Sequence, residues 1–531
     1  MLKTIIPFEQ VPQLAKTDIA YATGDPLLKP FYRHGPQLSA FEAVIREKAK
    51  QEIPRSDLVE VLREQYTGLP EQAPVAQAIE YLLSDDTFTI TTAHQPNIFL
   101  GPLYFLYKAM TTINLAEAVQ ALQKNKRIVP IFVLGSEDHD LEELNSIHLF
   151  NNDLVWETDA QGPVGSMSTD SLGPVLAKVK EILGDGEAAA HLFSRIEKAY
   201  TKRDTIAGAT QAMLHDLFGK YGLVVLNMND RRFKRHFVPV MKTELLEEIS
   251  YGVVNKTIGR LNDLGFKTQA SPREINLFYM QPGARERIVR ENDRYTVLNT
   301  DLSFSEAEII EELERYPERF SPNVILRPLF QETILPNLAY VGGGGELAYW
   351  LERKTLFEHF GIPFPMLVRR HSVLWMDRDA VKKWQKFGLD LEQIFEHPDS
   401  LVRQYVEQQA EADVDLGPEI EALHRIYDQL TARAAVIDPT LEKAVRAEEV
   451  KAVGGMEHWQ NRLIRAEKQK HEVSVNQIRS LKEKLFPGEG LQERFDNFIP
   501  YLLKYGDAFT DTLKEQFLPF DPGFLILRDE E

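Results

Sequence analysis

The chain has 531 residues, of which 43% are hydrophobic and 27% are charged, the composition of an ordinary globular protein. Its length is sufficient for several structural units, since single domains usually contain roughly 100–200 residues. The formal net charge of −19 argues against a nucleic-acid-binding surface, because such surfaces are usually basic.

Membrane and redox features are absent from the sequence. No stretch approaches the roughly 18 consecutive apolar residues that a membrane-spanning helix needs. The first residues soon reach proline and acid, which is untypical of a signal peptide, so we expect a cytoplasmic protein. The chain contains no cysteine, which excludes disulfides, thiolate metal sites and cysteine nucleophiles. Its 13 histidines form no recognisable metal-binding pair, and no metal site is predicted.

The first 86 residues are predicted to be mostly helical, and a β–α–β unit follows them. Residues 87–90 have the apolar, β-branched pattern of a strand, and residues 128–134 have the pattern of a second, buried strand. Residues 103–123 form a proline-free helix pattern between the two strands. Open parallel sheets bind ligands where strand ends and helix N-termini meet. The polar residues that follow these strands are therefore candidates for a ligand-binding pocket.

Five polar residues at these strand ends are candidate catalytic groups: His94, Glu137, Asp138, His139 and Asp140. A histidine or carboxylate close to an amine can accept its proton, and crowded carboxylates raise one another's pKa. His94 suits contact with a phosphate, a carboxylate or a transition-state oxyanion. The alternatives are an ordinary crossover with solvated loops, sugar or metal binding by the carboxylates, and helix capping by Asp138 and Asp140.

The remaining core segments are interrupted by two other stretches. Residues 151–200 contain a Gly/Ser-rich turn and then a helical pattern, and the core is predicted to resume with a strand at residues 222–227 and a helix from Phe233. Residues 255–305 contain short alternating runs that indicate an antiparallel insertion. Residues 323–328 return to the pattern of a core strand.

Four consecutive glycines, Gly342, Gly343, Gly344 and Gly345, separate an apolar segment from a helix pattern. Glycines at such a turn permit positive φ and allow a ligand to approach backbone N–H groups closely. The segment matches neither a P-loop nor a dinucleotide-binding glycine motif. It is therefore interpreted either as a backbone cradle for an anion or polar substrate, or as a tight turn where a helix packs on the sheet.

A long helical arm is predicted after Asp377, where the composition shifts to Glu, Lys, Gln and Arg. Apolar residues step by three and four along a heptad seam; they are Ile420, Leu423, Tyr427, Leu430, Ala434 and Ile437. A second helix pattern runs from Asp438-Pro439 to Leu485. Two long helices joined by a short turn predict an antiparallel coiled-coil hairpin that packs on the body or dimerises.

Three motifs resemble the BshC family, whose members are assigned as cysteine ligases of bacillithiol biosynthesis. They are His-Gln-Pro-x-x-Phe-x-Gly-Pro-Leu-Tyr from His94, Ser-Glu-Asp-His-Asp from Ser136, and Val-Gly-Gly-x-Gly-Glu-Leu-Ala-Tyr-Trp from Val341. The resemblance spans essentially the whole chain. It implies an α/β fold with a Rossmann-like parallel-sheet core, two connecting-peptide insertions and an antiparallel α-helical coiled-coil arm that forms a homodimer.

The resemblance also implies domain boundaries and a reaction. The core is expected at residues 1–150, 216–254 and 321–377, the insertions at 151–215 and 255–320, the coiled coil at 378–486, and a C-terminal segment docked on the core at 487–531. The implied reaction adds L-cysteine to glucosaminyl-malate through an amide on the glucosamine nitrogen. The substrate-binding residues implied by the motifs are Gln95, Asn97, Gly101, Arg327, Gln331, Gly342, Gly343, Gly344, Gly345, Glu346 and Tyr349.

The sequence fixes no cofactor, and ATP or ADP are the candidates. The family is similar to class I nucleotidylyltransferases, in which a His-x-Gly-His motif binds triphosphate, but Asn97 replaces the second histidine. We therefore expect adenine nucleotide at Gln492, Arg494 and Asn497, where an arginine can contact phosphate and phenylalanines can stack. The alternative is that Arg494 only ties the arm to the core.

Two other functional classes stay open from the sequence. One is a nucleotidylyltransferase-like enzyme that acts on another acid. The other is a non-catalytic dimeric scaffold, although a scaffold would not need polar residues gathered at two strand ends.

Overall fold

The computed structural model describes residues 1–150, 152–410 and 415–530. The strands are β1 (Leu2–Pro7), β2 (Thr87–His94), β3 (Arg127–Leu134), β4 (Ser146–Leu149), β5 (Asn152–Val155), β6 (Val224–Asn227), β7 (Leu277–Gln281), β8 (Ala284–Glu291), β9 (Arg294–Val297), β10 (Ser303–Phe304), β11 (Phe320–Pro322), β12 (Asn337–Gly342), β13 (Met366–Arg369), β14 (Val373–Met376) and β15 (Gly523–Arg528).

The α-helices are α1 (Lys16–Ala22), α2 (Phe41–Lys48), α3 (Arg55–Gln65), α4 (Ala73–Tyr81), α5 (Tyr104–Leu122), α6 (Leu141–Leu144), α7 (Gly173–Leu183), α8 (Glu187–Thr201), α9 (Ile206–Phe218), α10 (Arg231–Glu247), α11 (Ile249–Asp263), α12 (Glu306–Arg315), α13 (Arg327–Ile334), α14 (Gly344–Leu351), α15 (Lys354–Phe360), α16 (Arg378–Phe387), α17 (Pro398–Gln409), α18 (Gly417–Ile437), α19 (Leu441–Lys470), α20 (Glu472–Leu485), α21 (Ile499–Tyr505) and α22 (Ala508–Gln516). None of the helices in the described part of the chain is both long and apolar enough to cross a membrane.

The chain divides into two compact units, and each is described by itself. The larger unit comprises residues 5–373 and 493–525, and the smaller comprises residues 1–4, 374–492 and 526–531. The larger unit holds the parallel sheet and all of the strands β2 to β13. The smaller unit holds the long helices α16 to α20.

A five-stranded parallel sheet in the order β13-β12-β2-β3-β6 forms the centre of the larger unit. Its strands are buried on both faces, as expected of a parallel sheet covered on two sides, and β2 carries buried threonines among its apolar residues. Along β3, Val129, Ile131 and Val133 pack in one core cluster while Ile128 packs in another, which is the alternation of a pleated strand. This arrangement confirms the predicted Rossmann-like α/β core.

The strand order of this sheet reverses at β2. From β2 the chain proceeds outward through β3 and β6 on one side, and β12 and β13 lie on the other side. A crevice therefore opens between the C-terminal ends of β2 and β12, the place where open α/β sheets bind ligands. His94 ends β2 and Gly342 ends β12.

An antiparallel sheet in the order β10-β9-β8-β7-β11 follows in the same unit. Antiparallel strands are present at residues 277–304, as the alternating runs predicted, but α11 occupies the start of the predicted range 255–305. The prediction of a core strand at residues 323–328 is wrong, because Arg327 begins α13 and Pro328 lies in its first turn. Proline is well tolerated there, since its missing N–H would have no intrahelical acceptor; the Arg-Pro pair that resembled an extended segment instead starts a helix.

The smaller unit contains the predicted helical hairpin, formed by α18 packed along α19. The second helix does not run unbroken to Leu485 as predicted. It ends at Lys470, and α20 begins at Glu472 and packs on α16 and α17 through a separate buried stripe. Of the predicted seam, Ala434 is buried within the unit, whereas Leu430 is 47% and Ile437 is 80% exposed.

Candidate functional site

A cavity of about 790 Å³ lies at the strand-order reversal of the larger unit. Its wall combines residues from the end of β2, the loop after β3, the antiparallel sheet and the first turns of α13 and α14. The predicted site residues on this wall are His94, Gln95, Asp138, Arg327, Gln331, Gly343, Gly345, Glu346, Tyr349 and Arg494. The predicted residues that the structure places off this wall are Asn97, Gly101, Glu137, His139, Asp140, Gly342, Gly344, Gln492 and Asn497.

His94 is a neutral ring held by two hydrogen bonds. Its Nδ1 lies 3.1 Å from the carbonyl oxygen of Gln95, and its Nε2 lies 3.0 Å from the Tyr104 hydroxyl. The carbonyl can only accept, so Nδ1 carries the proton and Nε2 accepts from Tyr104. Burial, followed by the charge of Lys108, lowers the pKa of His94 to about 4, so the ring stays neutral near pH 7.

A buried ion pair lies beside His94. The Lys108 ammonium on α5 is 2.7 Å from Glu346 on α14 and also donates to the carbonyl oxygen of Ala93. Glu346 accepts further hydrogen bonds from the Tyr340 hydroxyl at 3.0 Å and from the N–H of Gly343 at 2.9 Å. Burial acts to raise the pKa of Glu346, but Lys108 outweighs it and the net pKa is lowered. The pair joins the two sides of the crevice.

The acidic cluster after β3 separates into residues with different surroundings. Asp138 faces the cavity and accepts a hydrogen bond of 3.1 Å from the Gln95 amide. Burial acts to raise the pKa of Asp138, but Arg327 and Arg285 outweigh it and hold the pKa below its ordinary value. Asp138 is therefore an ionised carboxylate within a cationic wall.

The neighbours of Asp138 tie the loop to other elements instead. Glu137 pairs with the buried Lys234 at 2.5 Å and accepts a 2.8 Å hydrogen bond from the Ser321 hydroxyl. Nδ1 of His139 lies 3.0 Å from the Arg285 guanidinium, which can only donate, so this nitrogen carries no proton. Asp140 is exposed, and its side chain caps no N–H of α6. The helix-capping alternative for Asp140 therefore finds no support.

Six arginines line the cavity: Arg273, Arg285, Arg287, Arg327, Arg370 and Arg494. Arg285 is engaged by Ser321 at 2.9 Å and lies over the Phe278 ring, and Arg370 is paired with Glu493 at 2.8 Å. Across the described ranges 1–150, 152–410 and 415–530, the other four have no carboxylate partner within 4.0 Å. The cavity thus offers strong positive charge in a chain whose net charge is −19.

The glycine turn does not adopt the positive φ expected from its sequence. None of the four glycines has a φ in the left-handed region. A Cβ on Gly344 would lie 2.0 Å from Cγ of Asp18, and Asp18 forms an ion pair with Arg369 at 2.7 Å. Close packing of α14 against α1 therefore requires Gly344, whereas Gly345 faces open space on the cavity wall.

Asn97 and Gly101 stabilise the turn that follows His94. Asn97 is buried, and its amide donates to the carbonyl of Glu143 at 3.3 Å rather than facing the cavity. Gly101 has a φ of 57°, and a Cβ there would lie 3.0 Å from Cβ of Asn97. Asn97 therefore does not replace the missing second histidine of a His-x-Gly-His motif by pointing into the cavity.

The predicted nucleotide residues do not share a helical face. Gln492 to Arg494 form a short 3-10 helix that ends before α21, and Arg494 lines the cavity that contains His94. The side-chain oxygen of Gln492 accepts from the Trp375 N–H at 2.8 Å, and its side-chain N–H donates to the Trp375 carbonyl at 3.1 Å. The Asn497 amide donates to the carbonyls of Phe99 and Gly101 at 3.0 and 2.6 Å. Gln492 and Asn497 therefore hold backbone segments, and only Arg494 of the three predicted nucleotide residues lines the cavity.

Sequence reasoning missed several residues of the wall, notably Tyr104, Glu143, Arg287 and Arg370, and it missed Lys108, which pairs with Glu346 behind the wall. Arg370 follows β13 as His94 ends β2, so the same strand-end rule would have found it. Lys108 is the lone charge in an apolar helical run, a pattern that indicates a buried partner. Within the described residues, no group of three or more His, Asp or Glu side chains is arranged to hold a metal ion.

The fold and the cavity together define a Rossmann-like α/β protein with a cavity at the switch point of its sheet. Comparison with known families agrees. The model "Bacillithiol biosynthesis BshC, N-terminal Rossmann-like domain" matches residues 1–371, and "Bacillithiol biosynthesis BshC, C-terminal coiled-coil domain" matches residues 373–528. The chain belongs to the BshC family, as its motifs predicted, and the two-part architecture of Rossmann-like core and coiled coil is confirmed.

Curated relatives show the same likeness over nearly the full chain. A protein of Flavobacterium johnsoniae is 40% identical and one of Christiangramia forsetii is 39% identical, each with 94% of both chains covered. A protein of Flavobacterium psychrophilum is 37% identical over 98% of this chain and 99% of its own. Each of these relatives is named "Putative cysteine ligase BshC".

The packing of the glycine turn predicts opposite effects for two adjacent substitutions. Gly344→Ala should lower the free energy of unfolding by about 1–3 kcal/mol, because its Cβ must displace the Asp18 side chain. Gly345→Ala is the matched control: no atom lies within 4 Å of its Cβ position, and alanine favours helix by up to about 1 kcal/mol. Thermal and urea unfolding would measure both. Equal stability of the two variants would contradict this packing argument.

The lowered pKa of His94 predicts a pH-dependent loss of stability. Between its ordinary pKa of 6.5 and the folded value of about 4, the unfolded chain binds more protons. The stability contribution is therefore fully present above pH 6.5 and is lost as pH falls toward 4. Relative to His94→Gln, the wild type should lose about 2–3 kcal/mol of unfolding free energy between about pH 7.5 and about pH 4.5.

Urea unfolding at several pH values would measure this difference. The control is His191→Gln, at an exposed position of α8, which should keep the pH dependence of the wild type. An identical pH dependence in wild type and His94→Gln would show that His94 is not held neutral by the fold.

Proposed function

We propose that this chain is a ligase that joins the carboxyl group of L-cysteine to the amino group of glucosaminyl-malate, forming an amide. The observation that carries the proposal is the charge pattern of the cavity, where the Asp138 carboxylate lies among arginines that have no carboxylate partner in the described part of the chain. A substrate with one amine and two carboxylates complements such a wall. The names of the curated relatives support cysteine ligation as the class of reaction.

The malate part of the acceptor is assigned to the arginines near Asp138. Arg327 projects toward Gly135 at the end of β3, where its NH1 would lie 3.4 Å from a Cβ on that glycine. Arg287 is paired in register with Phe278 on the antiparallel sheet, and both line the cavity. Guanidinium groups bind carboxylates through two parallel hydrogen bonds, so Arg287 and Arg327 suit the two malate carboxylates.

The substrate amine must be oriented and must lose a proton, and two carboxylates with opposite pKa shifts, Asp138 and Glu143, suit these two tasks. Asp138, which stays ionised, is assigned to orient the neutral amine by accepting a hydrogen bond from it, which leaves the nitrogen lone pair free to attack. Burial, followed by the charges of Asp140 and Asp138, raises the pKa of Glu143 on the same wall. A carboxylate with a raised pKa is the better proton acceptor near neutral pH, so Glu143 is assigned to take the proton that the amine loses when it attacks.

Amide formation also needs an activated acyl group, because a free carboxylate is a poor electrophile. A nucleoside triphosphate would supply the leaving group of the cysteine carboxyl, and the cationic wall fits such an anionic co-substrate. The amine lone pair then forms the new C–N bond, and the leaving group departs from the acyl carbon with the electron pair of the broken C–O bond. The chain's own residues bind the anions, orient the amine and accept its proton.

The nucleotidylyltransferase alternative makes a different experimental prediction. An enzyme of that class would release pyrophosphate from a nucleoside triphosphate with an unrelated acid and without the amino sugar. The proposed ligase should form a thiol-containing amide only when L-cysteine and glucosaminyl-malate are both present. Thiol labelling and mass spectrometry of the product distinguish the two reactions.

The proposed chemistry predicts which substitutions remove activity. Asp138→Ala should lower kcat for amide formation by at least about 100-fold, because the amine loses its anchor. His94→Ala should cause a similar loss of about 100-fold, because it frees the Tyr104 hydroxyl at the centre of the wall. Both assays use purified full-length protein with a nucleoside triphosphate.

The matched control for these variants is Glu142→Gln, which removes an exposed carboxylate of α6 that lies off the cavity wall. It should retain nearly normal turnover. Circular dichroism would verify that every variant is folded. Near-normal turnover by folded Asp138→Ala and His94→Ala proteins would remove both residues from the catalytic assignment.

The helical arm is proposed to form a homodimer. Within the smaller unit, Ile426, Leu430 and Ile437 remain 59%, 47% and 80% exposed. At 100° per residue these three positions lie on one side of α18, and Trp459 on α19 is also 53% exposed. Large apolar side chains left exposed along a helical hairpin indicate a protein contact, and the coiled-coil family model supports a second copy of the chain as the partner.

This assignment predicts that charge on the apolar side of α18 separates the dimer. Leu430→Glu with Ile437→Glu should produce a monomer in light scattering, because two buried unpaired carboxylates would oppose association. Deletion of residues 415–486 with a short linker should have the same result. The control, Gln429→Glu with Ala432→Glu, adds the same charge at exposed positions on another side of α18 and should leave the dimer intact. A dimer in the deletion protein would place the contact elsewhere.

A cytoplasmic location remains a prediction from the sequence. It fits a biosynthetic ligase that draws on nucleoside triphosphate.

A further inference from the structure

The first turn of α14 presents unused hydrogen-bond donors to the cavity. The N–H groups of the first helical residues have no intrahelical acceptor. Gly343 directs its own N–H to Glu346 at 2.9 Å, which leaves those of Gly344, Gly345 and Glu346 at the start of the helix. Gly343 and Gly345 both line the cavity, and no side chain at either position covers the backbone.

An unpaired buried donor faces the same turn. Arg370 is only 3% exposed and lines the cavity. Its NH2 donates to Glu493 at 2.8 Å and its NH1 to the carbonyl of His371 at 2.7 Å. Within the part of the chain that the structure describes, its Nε has no hydrogen-bond partner, and a Cβ on Gly343 would lie 3.3 Å from that nitrogen. A buried guanidinium N–H without an acceptor indicates a missing anionic oxygen.

The surrounding charges favour an anion at this end of the cavity. Lys108 offsets the nearby Glu346, and Glu493 offsets Arg370. Arg494 adds a positive charge without a carboxylate partner in the described ranges, and the helix terminus adds a further partial positive charge. Burial raises the pKa of Tyr104 to about 12, and Arg370 and Arg494 both oppose that rise, which places both charges near Tyr104. Glu143 lines the same cavity and also lies near Tyr104, but it is exposed to solvent, which screens its charge.

We propose that the N-terminus of α14, Nε of Arg370 and Arg494 form a binding site for the anionic end of the acyl donor. The chemistry they recognise is a carboxylate or phosphate oxygen that accepts from Gly345 N–H and Arg370 Nε–H together. This site rests on the proposed ligase function, and it binds the donor with residues other than Arg287 and Arg327, which are assigned to malate. Its test measures binding alone, so a failed amide assay and a failed binding test remain distinguishable.

The experiment measures the affinity of full-length protein for two probes by calorimetry: inorganic pyrophosphate as a phosphate source and L-cysteine as a carboxylate source. Gly345→Pro removes one N–H without a clash, because proline fits a first helical turn and Gly344 has no Cβ to oppose it. Arg370→Lys keeps the charge beside Glu493 but removes Nε–H. Each variant should lower the affinity for the bound probe by at least about tenfold, because one charged hydrogen bond is lost.

Two controls separate this effect from general loss of charge or fold. Gly345→Ala keeps the N–H and should bind the probe at least about threefold more tightly than Gly345→Pro. Arg287→Ala removes a positive charge that is assigned to malate. It should lower the affinity for the probe less than Gly345→Pro does. The probe whose affinity falls in Gly345→Pro and Arg370→Lys shows whether the site binds phosphate or carboxylate. Wild-type protein that binds neither probe, or unchanged affinity in both Gly345→Pro and Arg370→Lys, would overturn the proposal.

Discussion

The buried ion pair between Lys108 and Glu346 holds the two sides of the sheet's switch point together. Lys108 on α5 donates to the carbonyl oxygen of Ala93 near the end of β2 and pairs with Glu346. Glu346 also accepts from the Gly343 N–H at the N-terminus of α14, which follows β12. Desolvation makes each charge unfavourable alone, so removal of one partner typically costs about 3–5 kcal/mol. The pair therefore fixes the width of the crevice. It also affects the protonation of His94, because the charge of Lys108 helps to lower the pKa of His94.

The charge distribution of the chain is divided between its surface and its cavity. Acidic residues exceed basic ones by 19 overall, yet the cavity wall carries six arginines against few carboxylates. Low dielectric inside a cleft strengthens such local charge relative to distant surface charge. A net acidic composition therefore excludes a general polyanion-binding surface without excluding a specific site for small anions, and only the fold reveals the difference.

The sequence predicted those parts of the fold whose pattern is local. The apolar runs of β2 and β3, the helix between them and the alternating strands of the insertion were all readable from periodicity. The strand predicted at residues 323–328 failed because an Arg-Pro pair is compatible with both an extended segment and a helix start, and tertiary packing chose the helix. Arg327 and Arg494 were predicted as site residues, but a wall of six arginines could not be foreseen, since they come from segments that only the tertiary fold brings together.

The acidic cluster after β3 shows why candidate site residues adjacent in sequence need not share a role. Beyond a strand end, consecutive side chains point in different directions, so Glu137 turns to Lys234 while Asp138 turns to the cavity. Glu137 and His139 connect the loop to Ser321 and Arg285 of the antiparallel sheet. These contacts hold the Asp138 backbone from both sides, so a carboxylate kept ionised by arginines is also fixed in place. Preorganisation of that kind is what a reacting amine requires, and it explains why a cluster of four polar residues can place one group at the site and use its neighbours as the support.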